Sequence, residues 1–504
     1  MTAKVLMVLG TSSDAGKSLL VTALCHAFAR HGIRVAPFKA QNMSNNAAVC
    51  PDGSEIGRAQ ATQAMAAGLQ PTVNMNPVLI KPEADSRAQV IVLGKPWDTL
   101  PAQDYYQKKA MLWQIVTKSL DQLREEYDLV IMEGAGSPVE MNLKPGDIVN
   151  MSIAKYANAP VLLVGDIDRG GIFAQLLGTL WLLPDDEKAL VRGLVVNKFR
   201  GDINLFTDGI EILEEKGNVP VLGVLPHLRG LHIPDEDSMA LDHIEPVQLP
   251  SDHENWVDIA IIQLPRIANF DDFDPLHAEP QVRVRYVSSV AALGQPDAII
   301  IPGTKSSISD MQWLNVTGLA DAIANFSQAG GAVVGICGGY QMLGEVIHDE
   351  VGVEGNTAVT PALNLLPIKT HFEPIKATHQ VVAKLIPSNR NWTKCLQDET
   401  ITGYEIHMGR TESLSPWINL TTRSGQVVSV ADGGMSENGR IWGCYLHGLF
   451  ANARLRRAWL TSLGWTGGDE DAETDPFAAS LSRLADTVES VLDMTLLEKI
   501  IWGS

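Results

Sequence analysis

Two stretches of this chain run an apolar strand straight into a glycine-punctuated turn and then a helix, each with a reactive residue at the turn. The first is Lys4-Val-Leu-Met-Val-Leu9, then Gly10-Thr11-Ser12-Ser13-Asp14-Ala15-Gly16-Lys17-Ser18, then Leu19 to Leu24. The second is Ala332-Val-Val-Gly335-Ile-Cys337-Gly338-Gly339, continuing through Leu343. Units of this kind build parallel sheets covered by helices, with ligands at the carboxyl ends of the strands. The remaining pattern repeats them. Short β-rich runs are expected at Val5–Leu9, Arg34–Phe38, Leu129–Met132, Pro160–Val164, Gly193–Val196 and Pro220–Val224. A second series is expected at Val257–Leu264, Val282–Val287, Ala298–Ile301, Ala332–Ile336, Ile401–Ile406 and Arg440–Leu446. The expected fold class is therefore α/β, with two doubly wound parallel-sheet domains.

Between the two series, the prolines, histidines and acidic cluster Asp235-Glu-Asp237 break the rhythm. We place a first domain at 1–230, a linker at 231–256, a second domain at 257–455 and a helical tail at 456–504, with an acidic break from Gly468 to Glu473. A length of 504 residues suits two to four domains, each with its own core. With 45% hydrophobic and 19% charged residues, the chain reads as an ordinary globular protein. No apolar run reaches membrane-spanning length and no signal-peptide layout precedes the first strand, so a cytoplasmic location and no membrane partner are expected. The cysteines Cys25, Cys50, Cys337, Cys395 and Cys444 show neither paired nor metal-ligand spacing, as expected of a reducing compartment. A formal charge of −20 gives long-range attraction to nucleic acid the wrong sign. Anionic substrates then need local cations or metal.

The first turn is a variant of the phosphate-binding loop. Thr11 occupies the position where the usual pattern has glycine, and Gly10 stands one residue earlier. The physics is unchanged: the backbone N–H groups of Thr11, Ser12, Asp14 and Gly16 and the following helix N-terminus favour phosphate, Lys17 adds charge, and Ser18 offers a hydroxyl to Mg²⁺. ATP and Mg²⁺ are the expected cofactors. Glu133 and Asp166, each ending an apolar strand, are candidate metal ligands with Ser18, and a helix cap is the competing reading for each carboxylate alone. Asn197 and Lys198 follow a further strand and offer donors and acceptors to a nucleotide.

The second turn, Gly335-Ile-Cys337-Gly338-Gly339, has the layout of a nucleophile elbow, in which small neighbours permit a strained turn and the next N–H serves an oxyanion hole. Cys337 is the candidate nucleophile and Gly338 the donor. A thiol needs a base, and His447 ends a late strand in the same domain. Gly303, in the glycine turn Pro302-Gly303-Thr304, is a candidate second oxyanion donor.

These motifs, with Phe38-Lys39-Ala-Gln41-Asn42-Met-Ser-Asn45-Asn46, Glu133-Gly-Ala-Gly-Ser-Pro138, Gly403-Tyr-Glu-Ile-His407 and His447-Gly-Leu-Phe450, carry a resemblance over essentially the whole chain. It resembles the cobyric acid synthase family of cobalamin-pathway amidotransferases. The N-terminal half is similar to the dethiobiotin synthetase group of P-loop ATPases, and the C-terminal half to class I glutamine amidotransferase domains. The resemblance implies glutamine and a corrinoid polycarboxylate as substrates, with the b, d, e and g carboxylates of adenosylcobyrinic acid a,c-diamide amidated through acyl phosphates. It says nothing of oligomeric state. A related a,c-diamide synthase, or a nucleotide switch with an inactive glutaminase-like module, are the rival readings. Glutaminase domains of this class usually carry glutamate two residues after the histidine, where this chain has Leu449, a feature the family is understood to share. Glu405 is then a candidate to orient His447 by sequence proximity. Lys39, Gln41, Asn42 and Asn45 are candidate acceptor-side residues, an amide-rich turn being the alternative for the last three. Trp97, Tyr105, Tyr106 and Trp113 are candidates for facing a large ring, with helix packing as the cheaper explanation.

Overall fold

The structure is a computed structural model that describes residues 2–84, 87–234, 236, 256–355, 357–387, 392–396, 399–467 and 476–503. Its first sheet has six parallel strands in the order Val221–Pro226, Val191–Phe199, Val161–Asp166, Lys4–Gly10, Leu129–Glu133 and Val35–Phe38. Successive side chains point to opposite faces of a strand, and two cores follow from that. Val5, Met7 and Leu9 enter one, and Leu6 and Val8 the other. Because Lys4–Gly10 lies between Leu129–Glu133 and Val161–Asp166, Glu133 and Asp166 end on either side of the phosphate loop.

The second domain repeats the plan with parallel strands Val282–Val287, Val257–Ile262, Ala298–Ile301, Ala332–Ile336 and Ile441–Cys444, and a short antiparallel edge at Gly434–Met435. Beside it stands a sheet that the sequence pattern barely announces. Its centre is the long strand Ile368–Leu385, paired antiparallel with Thr400–Ser413 and Ile418–Arg423. Of these, only Ile401–Ile406 reads as a strand from sequence. Glu373-Pro374 interrupts the alternation of the long strand, and the register shifts there between Phe372 and Ala377.

The segment after Phe38 also forms strands: Gln41–Met43 pairs with Val78–Ala84, and Ala47–Val49 with Glu55–Gly57 ahead of the helix Arg58–Ala66. The second domain rests on this hairpin. Asn269 Oδ1 accepts from Ala47 N at 2.9 Å, Asn269 N donates to Asn46 Oδ1 at 2.7 Å, and Gln380 Nε2 donates to Val49 O at 2.9 Å. Ala47, Val49, Leu79, Ile91 and Ile406 form an apolar patch across the junction.

The C-terminal helices divide between the domains. Ala453–Ser462 packs Leu455 and Trp459 into the second core, whereas Pro476–Val491 and Met494–Trp502 bring Leu481, Leu484, Val488 and Leu497 onto the first sheet beside Leu6 and Leu24. Most of 231–256 and the acidic break at Gly468–Glu473 lie outside the described residues. Trp97 and Trp113 pack against the first core, Trp113 edge-on to Tyr156 at 5.7 Å, as the packing reading has it; the side chains of Tyr105 and Tyr106 fall outside the described residues. Among the described residues, no helix is long and apolar enough to cross a membrane.

Candidate active site

At the nucleotide end, the loop bends through Asp14 and Gly16, whose φ angles are 61° and 91°. A Cβ on Gly16 would lie 2.0 Å from Asn197 Nδ2, which donates to Ala15 O at 2.9 Å, so Asn197 braces the loop. Thr11 binds Gln175 Oε1 at 3.1 Å. Lys17 Nζ folds back to Ser12 O at 2.9 Å and Gly136 O at 3.3 Å. Burial, with Lys39 nearby, pulls the Lys17 ammonium down to about 8. Lys198 Nζ reaches Asp14 O at 2.7 Å and Asp166 Oδ2 at 3.0 Å.

The polar centre is a buried group of charges. Ser18 Oγ lies 2.8 Å from Glu133 Oε1 and 2.9 Å from Glu236 Oε2, and Lys39 Nζ lies 2.9 Å from Glu133 Oε1 and 2.5 Å from Glu236 Oε1. Gln63 Nε2 donates to Glu133 Oε2 at 2.6 Å. A hydroxyl has one proton, so Ser18 can donate to only one of its two carboxylates at a time, and Lys39 bridges both. Glu236 belongs to the acidic cluster read as linker; its signal was visible, but spacing gives no hint that the chain folds back here. Asp166 is held by Lys198 at 3.0 Å and accepts from Asp168 N at 2.9 Å, a set of partners separate from the Ser18–Glu133–Glu236 group.

Of the acceptor-side candidates, Lys39 is bound into that charge group. Asn42 is buried and donates to Gln60 Oε1 at 3.1 Å, a structural tie in place of the open position a substrate contact needs. Gln41 starts the short strand, and Asn45 Oδ1 is buried with no hydrogen-bond partner.

At the thiol end, Cys337 follows its strand with φ 51° and ψ −108°. The small neighbours are required: a Cβ on Gly339 would lie 1.9 Å from Ile301 O, and one on Gly335 2.6 Å from Gly339 O. Cys337 Sγ is 3.6 Å from Ile406 O, and Cys337 and His447 line the same pocket, close enough for the thiol to influence the ring. A Cβ on Gly303 would meet His447 Cε1 at 2.8 Å, so that glycine lies against the histidine, and one on Gly338 would meet Thr304 Cγ2 at 2.7 Å, which packs the elbow against the Gly303 turn. A small pocket of about 60 Å³ opens beside Cys337, lined from the second domain by Gln341, Glu354 and His407 and from the first by Lys81.

Asp272 orients the histidine. Its Oδ2 lies 2.6 Å from His447 Nδ1, and its Oδ1 accepts from Gly448 N at 2.7 Å. Glu405 is taken elsewhere: Arg423 binds it through Nε at 2.8 Å and Nη2 at 2.9 Å, and His407 lies at 3.3 Å. Adjacent residues of a strand face opposite ways, and it is Tyr404 that bridges to His447, stacking at 5.2 Å between ring centroids. Burial opposes charge on His447, but Asp272 and then Cys337 outweigh it and push the ring up to about 10. Asp272 sits between buried Phe270 and Phe273, which turn it inward.

Residues 6–238 match the CobQ/CobB/MinD/ParA nucleotide binding domain, and 258–455 the CobB/CobQ-like glutamine amidotransferase domain. The chain is 54% identical over 501 residues to a cobyric acid synthase of Herpetosiphon aurantiacus, covering 99% of each. It is 52% identical to one of Chloroflexus aurantiacus, covering 99% of this chain and 100% of the relative, and 54% identical to one of Roseiflexus castenholzii, covering 95% of each.

The chain belongs to the cobyric acid synthase family.

As a member of that family it is an ATP-dependent glutamine amidotransferase, a carbon–nitrogen ligase. The two rival readings gain nothing from these relatives, all three of which carry the cobyric acid synthase name. Family membership also sharpens the loss of the usual glutamate. In this cobyric acid synthase relative, a carboxylate from residue 272, ahead of the elbow in sequence, stands at the imidazole.

Proposed function

We propose that this protein hydrolyses glutamine at Cys337 and uses the ammonia to amidate the b, d, e and g carboxylates of adenosylcobyrinic acid a,c-diamide, each first phosphorylated by ATP. The Cys337 thiolate attacks the glutamine side-chain carbon, with the Gly338 and Gly303 N–H groups as donors to the oxyanion. His447, protonated and held by Asp272, gives its proton to the leaving nitrogen, so ammonia departs and a thioester remains. Water, deprotonated by His447, then adds to the thioester and releases glutamate and the thiolate. At the other site a substrate carboxylate oxygen attacks the γ-phosphorus of ATP; ammonia displaces phosphate from the resulting acyl phosphate and an amide forms. Lys17, Lys39 and the loop N–H groups supply the positive potential for this transfer. Thr11, Ser12, Asp14, Gly16, Asn197 and Lys198 shape the nucleotide cradle.

Ser18, Glu133 and Glu236 fit Mg²⁺ by their oxygen-only donor set, in which one hydroxyl proton cannot serve both carboxylates. Asp166 would join through a shift of Lys198. When bound, the ion neutralises phosphate charge. Among the described residues, no group of three or more His, Cys, Asp or Glu side chains stands ready to hold a metal ion.

The observation that carries this reading is the thiol–imidazole–carboxylate row of Cys337, His447 and Asp272 in a pocket that the ATP-binding domain helps to line. Cys337→Ala tests it, with mass spectrometry counting the amides added to the corrinoid. Glutamine-driven synthesis should fall to background while ammonia-driven synthesis persists. Equal loss by both routes would refute the division of labour.

A further inference from the structure

Between the two sites lies one short helix, Arg58–Ala66, with a polar hand at each end. Gln63 donates to Glu133 Oε2 at 2.6 Å and also approaches Ser18 O at 3.5 Å, at the centre of the nucleotide site. Five residues earlier, about 7.5 Å along the axis, Arg58 keeps one tie to its own hairpin, Nη2 to Ala47 O at 3.2 Å, and otherwise reaches into the second domain. Its Nε lies 3.0 Å from Asp271 Oδ2, its Nη2 donates to the Tyr404 hydroxyl, and its guanidinium lies 5.2 Å from the Tyr404 ring centroid. Asp271 adjoins Asp272, which holds His447 Nδ1, and Tyr404 stacks on the His447 ring and exchanges backbone hydrogen bonds with it, at 3.1 Å and 2.9 Å. Arg58 thus grips, from the opposite domain, the ring stacked on His447 and the residue adjoining its carboxylate partner.

The grip is electrostatically matched: burial disfavours the guanidinium charge, but Asp271 more than offsets it, while burial and Asp272 push Asp271 up against the pull of Arg58. A second thread runs parallel to the first. Glu236 O accepts from Ser44 Oγ at 2.7 Å, Ser44 Oγ accepts from Asn46 N at 2.9 Å, and Asn46 Oδ1 accepts from Asn269 N at 2.7 Å, two residues before Asp271. The first thread starts at the Glu133 carboxylate and the second at the main-chain carbonyl of Glu236, and both end at the 269–272 turn.

We propose that Arg58 is a positioning residue that couples the two half-reactions. Occupancy of the nucleotide site shifts Glu133, Gln63 carries the shift along the helix, and Arg58 sets the Asp272–His447–Tyr404 geometry that makes Cys337 competent. Glutamine is then hydrolysed when an acceptor is being activated, so that ammonia is not released idly. This rests on the glutaminase and ATP roles proposed above. It differs from a packing role because it demands that glutaminase activity respond to nucleotide.

The test compares glutamate release by the full-length protein with and without Mg²⁺ and a non-hydrolysable ATP analogue, and ammonia-driven amidation alongside. The wild-type protein should release glutamate faster with the analogue, by roughly 5-fold or more for a coupling of this class. Arg58→Ala should lose that response and about tenfold of its glutaminase kcat, while ammonia-driven amidation stays near wild type and shows that the first domain is folded. Tyr404→Phe removes only the hydroxyl that Arg58 holds and should lose the nucleotide response while retaining the ring stack. A wild-type nucleotide response in both variants would overturn the proposal, and so would equal loss of both nitrogen routes in Arg58→Ala accompanied by a normal response in Tyr404→Phe. A wild-type protein that releases no glutamate under any condition would instead strike the function on which the coupling rests.

Discussion

Asp272→Asn is the most informative single change at the thiol site, since it keeps the shape of the side chain and removes its charge. In the wild type, His447 is raised from 6.5 to about 10. At about 1.36 kcal/mol per pH unit this is roughly 5 kcal/mol in favour of the protonated ring, with burial already opposing it. Asp272 is the larger of the two raising influences and Cys337 the smaller. Neutralising Asp272 removes a few kcal/mol of that preference, on the order of a hundredfold in rate. The tautomer acts in the same direction. The amide introduced by Asp272→Asn would keep its carbonyl on Gly448 N, now 2.7 Å from Oδ1, and turn its NH₂ toward His447 Nδ1. The ring proton would then sit on Nε2, facing the thiol it should deprotonate. Glutaminase kcat/KM should fall about 10²-fold or more, with ammonia-driven amidation retained. The pH dependence has a definite sign: a folded-state value raised above 6.5 gives stability that is complete below that pH and lost as pH climbs through about 10. The stability gap between wild type and Asp272→Asn, read by thermal unfolding, should therefore narrow between pH 6.5 and about 10. Glutaminase activity within threefold of wild type would refute the argument, and so would a gap that widens with pH.

Two further changes probe the contacts at either end. Gly303→Ala places a methyl 2.8 Å from His447 Cε1 and 3.1 Å from Ala268 O, which forces the ring away from Cys337 at about 1–3 kcal/mol; glutaminase rates should drop steeply while the Mg²⁺- and ATP-dependent use of ammonia is unaffected. Glu236→Gln withdraws a charge from the Ser18–Glu133 cluster; the Mg²⁺ concentration needed for half-maximal ammonia-driven amidation should rise about tenfold, or roughly 1.4 kcal/mol, and direct titration of Mg²⁺ into the protein–nucleotide complex should show the same weakening.

The two strand–turn–helix units were legible because parallel strands buried on both faces spell continuous apolar runs, and because turns such as those at Gly16 and Cys337 tolerate few residue types. Lys17, Ser18, Glu133, Cys337 and His447 were named from that local grammar. What escaped was set by distance along the chain. Asp272 meets His447 across 175 residues and Glu236 meets Ser18 across 218, and neither sits in a motif whose spacing encodes the partner. Glu405 misled because sequence proximity to Tyr404 says nothing about which face of the strand a side chain takes. The long strand Ile368–Leu385 escaped because one of its faces is largely exposed and a proline interrupts its period.

The placement of the hairpin and helix after Phe38 joins these observations. A chain that only needed to tether a glutaminase to an ATPase would be served by a flexible linker, with an interface of ordinary polar character. Here the contacts are buried and specific. Lys376 of the second domain lies against the fully buried Glu55, whose other oxygen holds Lys81 at 2.7 Å, and Lys305 reaches Glu83 at 2.9 Å. Burial raises the Glu55 carboxyl, but Lys376 and Lys81 more than offset it and hold the group down at about 2. Breaking one partner of such a buried group leaves an uncompensated charge at about 3–5 kcal/mol, so the network resists sliding of one domain over the other. Lys81, Lys305 and Lys376 all line the pocket that contains Cys337. The junction that fixes the domains is therefore also a wall of the Cys337 pocket, so that sliding of one domain over the other would reshape the pocket itself, which a loose tether would not do.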